Sequence, residues 1–157
     1  VVKLRTAQKE DWESILAVVN DALPEAEAEC QEWLENRINY DDAMLNRRHY
    51  VVQHDGESII AYGAVEQGPE PHLYRMFIVL KSRYVKQGVA EMLYEKLRAD
   101  LDTLGAEIVW VREETRDPIL SFFYEKGFQE RTRFMLENGR EAIVIYLRRA
   151  QGEKSSS

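Results

Sequence analysis

The chain of 157 residues contains one cysteine, Cys30, and three histidines. A lone cysteine excludes an internal disulfide framework and the Cys-rich zinc sites. His49 and His54 have no histidine or cysteine partner at ligand spacing, so no metal is expected. No apolar run approaches the roughly 20 residues that cross a bilayer, so no membrane association is expected either. Basic residues are in the minority, with 21 Lys and Arg against 28 Asp and Glu, a net charge of −7. A surface that tracks phosphates needs a basic stripe, and nucleic acid is therefore not an expected partner. The opening Val1-Val2-Lys3-Leu4-Arg5 lacks the basic-then-apolar shape of a signal peptide, and the expectation is a cytoplasmic protein.

What is present suits a folded domain. With 45% hydrophobic and 31% charged residues, the chain can bury a core and is not of disordered composition. Its length suits one core rather than two. Residues 1–150 read as that single domain, and Gln151 to Ser157 as a loose polar tail.

Local patterns give the order of elements. Val2 to Arg5 reads as a strand. Asp11 is expected to cap a helix carrying Trp12, Ile15, Leu16, Val19 and Leu23, which recur at helical spacing until Pro24. A second helix is expected with Ala26, Cys30, Trp33, Leu34 and Ile38 on one side and acids elsewhere. Tyr50 to Val52 and Ser58 to Tyr62 flank Asp55-Gly56, a tight-turn dipeptide, and read as a hairpin. Leu73 to Leu80 is a further strand. From about Gly88 a long helix is expected, buried through Val89, Met92, Leu93, Leu97, Leu101 and Leu104 and stopped by Gly105. Ile108 to Val111 reads as a short strand covered on both faces. Asp117-Pro118 starts a short helix with Ile119, Leu120, Phe122 and Phe123. A last hairpin runs from Phe128 through Asn138-Gly139 to Leu147. The order β-α-α-β-β-β-α-β-α-β-β, with a strand-helix-strand unit at 73–111 between two hairpins, predicts an α/β (α+β) fold on a mixed sheet.

The segment from Val79 to Leu93 carries the chemistry. A strand ends, a short loop holds Lys81, Arg83 and Lys86, and Gly88 stands where a helix begins. The first turn of a helix has free N–H groups and the positive dipole end, so such a junction can bind an anion. Gly88 would let an anion approach the main chain, and small Ala90 leaves the first turn unobstructed. Spacing alone equally suits a turn glycine among solvated basic residues.

Val85-Lys86-Gln87-Gly88-Val89-Ala90 resembles the Arg/Gln-x-x-Gly-x-Gly/Ala motif of the GNAT superfamily of N-acetyltransferases. Phe122-Phe123-Tyr124-Glu125-Lys126-Gly127-Phe128 is similar to that family's Leu-Tyr-Glu-Lys-x-Gly-Phe region, and Leu4-Arg5-Thr6-Ala7 with Asp11 to its usual opening. The element order over 2–147 matches as well. Two positions depart from the pattern: Val85 stands where Arg or Gln is usual, and Phe123 takes the usual tyrosine position, with Tyr124 one residue late.

The resemblance implies a mixed, mostly antiparallel central sheet flanked by helices, with acetyl-CoA as co-substrate. It implies that the main chain of Ile78, Val79 and Leu80 binds the pantetheine arm and supplies an oxyanion donor. The pyrophosphate would lie on Val85 to Ala90, that is Val85, Lys86, Gln87, Gly88, Val89 and Ala90. Direct attack on a thioester needs a neutral amine, a donor for the oxyanion and a proton for the departing thiolate. Tyr124 is the candidate general acid; otherwise the phenol is missing from its place. The candidate bases are Glu113 and Glu114, read as lying just past the strand end on the surface, and His72 at the mouth of the preceding strand; proton removal through water is the alternative. The expected acceptor is a small-molecule or peptide amine, with a cationic one suggested by the acidic residues of 25–42. A CoA-holding module without catalysis is the other reading of Val85 and Tyr124. A homodimer formed through exposed strands stays open.

Overall fold

The structure is a computed structural model that describes residues 2–25, 32, 46–55, 58–85 and 88–149. In chain order it contains β1 (Val2–Thr6), α1 (Trp12–Ala22), β2 (Arg48–His54), β3 (Ser58–Gln67) and β4 (Leu73–Leu80). These are followed by α2 (Val89–Leu104), β5 (Ile108–Glu114), α3 (Ile119–Glu125), β6 (Gln129–Met135) and β7 (Glu141–Arg148). The second helix expected around Cys30, the polar tail, and Lys86 and Gln87 of the motif lie outside the described residues, Glu32 apart.

One sheet holds all seven strands in the order β1-β2-β3-β4-β5-β7-β6. β4 and β5 run parallel, joined by α2, and the remaining neighbours are antiparallel. Alternation along each strand divides the core in two. On one face, Ile15, Val18 and Val19 of α1 pack over Val51, Tyr62, Ala64, Phe77 and Val79. On the other, Leu93, Leu97 and Leu101 of α2 and Phe123 of α3 cover Val52, Met76, Ile78, Val109, Val111, Ile143 and Ile145. Gly63 sets how closely α2 approaches: a Cβ there would stand 3.1 Å from Leu93 Cδ2 and 3.2 Å from Leu97 Cδ1.

Two expectations need correction. Asp11 precedes α1 but makes no side-chain cap. Its carboxylate instead accepts from Arg5 Nη1 and Nη2 at 2.8 and 2.9 Å and from the Gln8 N–H at 2.8 Å, tying β1 to the helix entry. A bidentate guanidinium is a stronger partner than a helix N–H. Strand β5 is not covered on both faces: Val109 and Val111 are buried, whereas Ile108, Trp110 and Arg112 are only half-buried. Its apolar run reflects one covered face plus an aromatic floor on the other.

The feature that positions the site is the short pairing of β4 with β5. Only Leu73, Tyr74 and Arg75 pair with Ile108, Val109 and Trp110. Beyond that point β4 continues to Leu80 and β5 to Glu114. β3 keeps its register with β4 along 74–80 and β7 keeps its register with β5 along 108–114. The sheet is therefore open between the two tips, and strand main chain there lacks its lateral partner.

Candidate active site

Three pieces of chain meet at the open end. The tip of β4 brings Val79 and Leu80, the turn after it brings Ser82 and Val85, and the chain leaving β5 brings Asp117, Pro118 and Ile119; together with Ala22 they line one narrow crevice. The turn is fixed from across the sheet, since the Ser82 N–H and hydroxyl donate to Asp21 Oδ2 of α1 at 2.7 and 3.3 Å. Arg83 is drawn away onto its neighbour, donating to the Tyr84 hydroxyl at 3.0 Å.

Gly88 opens α2 with φ 78°, ψ 3°, and no side chain caps the helix start. A Cβ added at Gly88 would meet nothing within 4 Å. Among the described residues, this point of the helix start is therefore unobstructed, as an anion site at a helix N-terminus requires. Val89 and Ala90 turn their side chains into the core, which leaves their N–H groups as the chemistry of the turn. Ile78 is likewise fully buried, so only its main chain is available at the gap.

Glu113 and Glu114 lie inside β5 and are buried, at 5% and 4% exposure, rather than on the surface past its end. Alternation sends them to opposite faces. Glu113 joins Val111 on the α2 side and meets Asp117. Burial, and then the charge of Asp117, raise the Glu113 carboxyl well above the usual carboxylate range. Burial also raises Asp117, although hydrogen bonds from Glu113 and from the Ile119 N–H pull it back down. Burial thus raises both carboxyls of the pair. Asp117 also caps α3, accepting from Ile119 N–H at 3.0 Å.

Glu114 sits on the α1 side among arginines. Arg116 Nε donates to its Oε1 at 2.8 Å, and Arg140 Nη1 lies 3.8 Å from the same oxygen. Both arginines also donate to the Pro24 carbonyl just after α1, at 2.7 and 3.4 Å. Its other oxygen, Oε2, makes no hydrogen bond among the described residues. Two arginines therefore converge on one buried carboxylate at the end of β5.

The remaining candidates are spread out. Tyr124 is on α3, 42% exposed, and does not line the crevice. His72 precedes β4, with Nδ1 3.1 Å from the Gly105 carbonyl and 3.4 Å from Glu107 Oε2. That is the closed end of the β4–β5 pair, about 25 Å along the strand from Leu80. The structure does not bring His72 to the gap. Sequence reasoning had Asp117 only as a cap and missed Arg116 and Arg140; the doubled acid after an apolar run was a visible signal for the first, and nothing local signalled Arg140.

Comparison with known proteins bears on this geometry. The description "Acetyltransferase (GNAT) family" matches residues 12–128. The chain belongs to the GNAT family of acetyltransferases. Its fold is shared by solved structures of GNAT enzymes at low identity. Ard1 from Thermoplasma volcanium has a TM-score of 0.76 at 14% identity, covering 96% of this chain and 99% of that one. The ribosomal-protein-S18-alanine N-acetyltransferase of Escherichia coli has 0.71 at 17%, covering 94% of each. The PaiA N-acetyltransferase of Thermoplasma acidophilum, solved in complex with coenzyme A, has 0.71 at 14%, covering 95% and 99%. A search of curated proteins finds no match.

Proposed function

We propose that this GNAT protein transfers the acetyl group of acetyl-CoA to a primary amine by direct attack. The observation that carries the reading is the open β4–β5 gap, with an uncapped helix start at Gly88 beside it. The main chain of Ile78, Val79 and Leu80 would bind an extended pantetheine arm as an added strand is bound. The N–H groups of Gly88, Val89 and Ala90 would face the diphosphate, with Val85 at the crevice wall and Lys86 and Gln87 completing the loop. The thioester supplies an activated acyl group.

The chain's own groups would handle protons. Glu114 is the proposed acceptor of the amine proton: it is beside the gap, on the α1 face, with one oxygen unsatisfied. Arg116 and Arg140 hold its other oxygen. Tyr124 remains the proposed donor to the departing thiolate. His72 takes no part, because of its distance. A small-molecule or peptide amine would approach from the α1 side, past Glu25 and Arg140, which lie 3.7 Å apart.

Calorimetry with acetyl-CoA, followed by a thiol assay for CoA release with a panel of amines, tests this. Saturable binding and amine-dependent release are expected. No binding at about 1 mM would end the reading. Binding without release for any amine would favour the non-catalytic CoA module.

A further inference from the structure

A second cavity, of about 840 Å³, lies on the sheet face opposite α2, at the closed ends of β4 and β5. Trp110, Val144, Tyr146, Arg131 and Arg148 line it, together with the β3–β4 loop. Its volume is within the range of small-molecule sites, about 300–1,000 Å³. The acetyl-transfer reading does not use it. Its β4 residue is Leu73, about 23 Å along the strand from Leu80.

The arginines give the cavity a chemical preference. Among the described residues, Arg5, Arg47, Arg48, Arg83, Arg98, Arg116, Arg133, Arg140 and Arg149 have hydrogen-bond or ion-pair partners. Arg75 and Arg112 lie against rings. Among the described residues, the exposed Arg131 and Arg148 have no such partner, and both line this cavity. Two unengaged guanidinium groups in a chain of net charge −7 mark a place for an anion. Trp110 and Tyr146 add half-buried aromatic surface, which suits a flat apolar body. Glu70 and Glu107 also line the cavity. Their charge opposes a polyanion such as a nucleotide and leaves room for a single negative charge.

We propose that this cavity binds a small aromatic carboxylate, its ring against Trp110 and Tyr146 and its charge between Arg131 and Arg148. The proposal does not depend on acetyl transfer, and its test reads binding alone.

Indole-3-propionate is titrated into the full chain by calorimetry, with and without saturating CoA. Saturable binding between about 10 μM and 1 mM is expected, unchanged by CoA. The uncharged indole-3-propionamide should bind at least about tenfold more weakly. The Arg131→Ala/Arg148→Ala variant should lose at least about tenfold in affinity for the acid, whereas Arg133→Ala, which changes an arginine of the same strand outside the cavity, should not. Equal binding of acid and amide, an unaffected double variant, competition by CoA, or no saturation at about 10 mM would each overturn the proposal.

Discussion

Arg75 on β4 places its guanidinium carbon 5.0 Å from the centre of the Trp110 ring on β5, at the last register position the two strands share. The contact closes the sheet on one side of the gap, and everything beyond it is open. Arg75 also lowers the carboxyl of Glu113 by its charge, against the burial that raises it.

Removing the Arg75 charge should therefore be costly in a way that depends on Glu113. Arg75→Met is expected to destabilise the fold by about 1 kcal/mol, mainly through the lost contact with the Trp110 ring. Arg75→Met combined with Glu113→Gln should recover part of that loss if the charge also acts on Glu113. Urea unfolding of the two singles and the double measures the coupling. Strict additivity would show that the two side chains do not interact.

Glu113 predicts a pH dependence of known sign. Its folded carboxyl is raised, so the folded state holds the proton more tightly than the unfolded chain. The contribution of this proton is fully present below the unfolded value, about pH 4.3, and is lost as pH rises toward the folded value. Glu113→Gln keeps the hydrogen-bonding shape and removes the titration. The melting temperature of Glu113→Gln should match wild type near about pH 4 and exceed it increasingly above that. A difference that stays constant across pH would contradict the assigned burial.

Asp11 has the opposite sign. The Arg5 hydrogen bonds, above all, hold its carboxyl below the usual range. Stability from this pair is present above the unfolded value, about pH 3.9, and is lost as pH falls through the lower folded value. Asp11→Asn should cost about 1 kcal/mol at neutral pH, with the gap to wild type closing in acid. Thermal melts of both proteins over the acid range check it. A loss that persists unchanged in strong acid would mean that Asn fails for reasons of shape rather than charge.

The elements were legible wherever periodicity and turn chemistry agreed. Leu93, Leu97 and Leu101 announce α2, and Gly105 ends it with φ 75°. The Asn138-Gly139 turn is also as expected, with Gly139 at φ 83°. The environments of charged residues were less legible. Glu113 and Glu114 carry no local mark of burial; they are enclosed because β7 pairs with β5 to its end and because Asp117 and Arg140 arrive from elsewhere in the chain. For the same reason Trp110 read as core, although the face it occupies is uncovered. The GNAT-like motif was readable as spacing, but the open gap that gives it a purpose arises from the parting of β4 and β5 after Arg75 and Trp110, far apart in the chain, which no short window encodes.

Gly88 and Gly105 make a matched pair that separates folding from ligand binding. They flank the two ends of α2 with φ 78° and 75°, and a Cβ at either would meet nothing within 4 Å. Alanine at either site should therefore cost a similar amount of stability, about 1–2 kcal/mol from the left-handed backbone alone. Only Gly88 faces the proposed diphosphate site. Gly88→Ala should weaken acetyl-CoA binding by more than about tenfold, because its methyl group occupies the approach to the first-turn N–H groups, whereas Gly105→Ala should bind as wild type does. Calorimetry and thermal melts of both variants give the comparison. Equal affinity in the two would remove the diphosphate from the start of α2, whatever the enzyme then proved to acetylate.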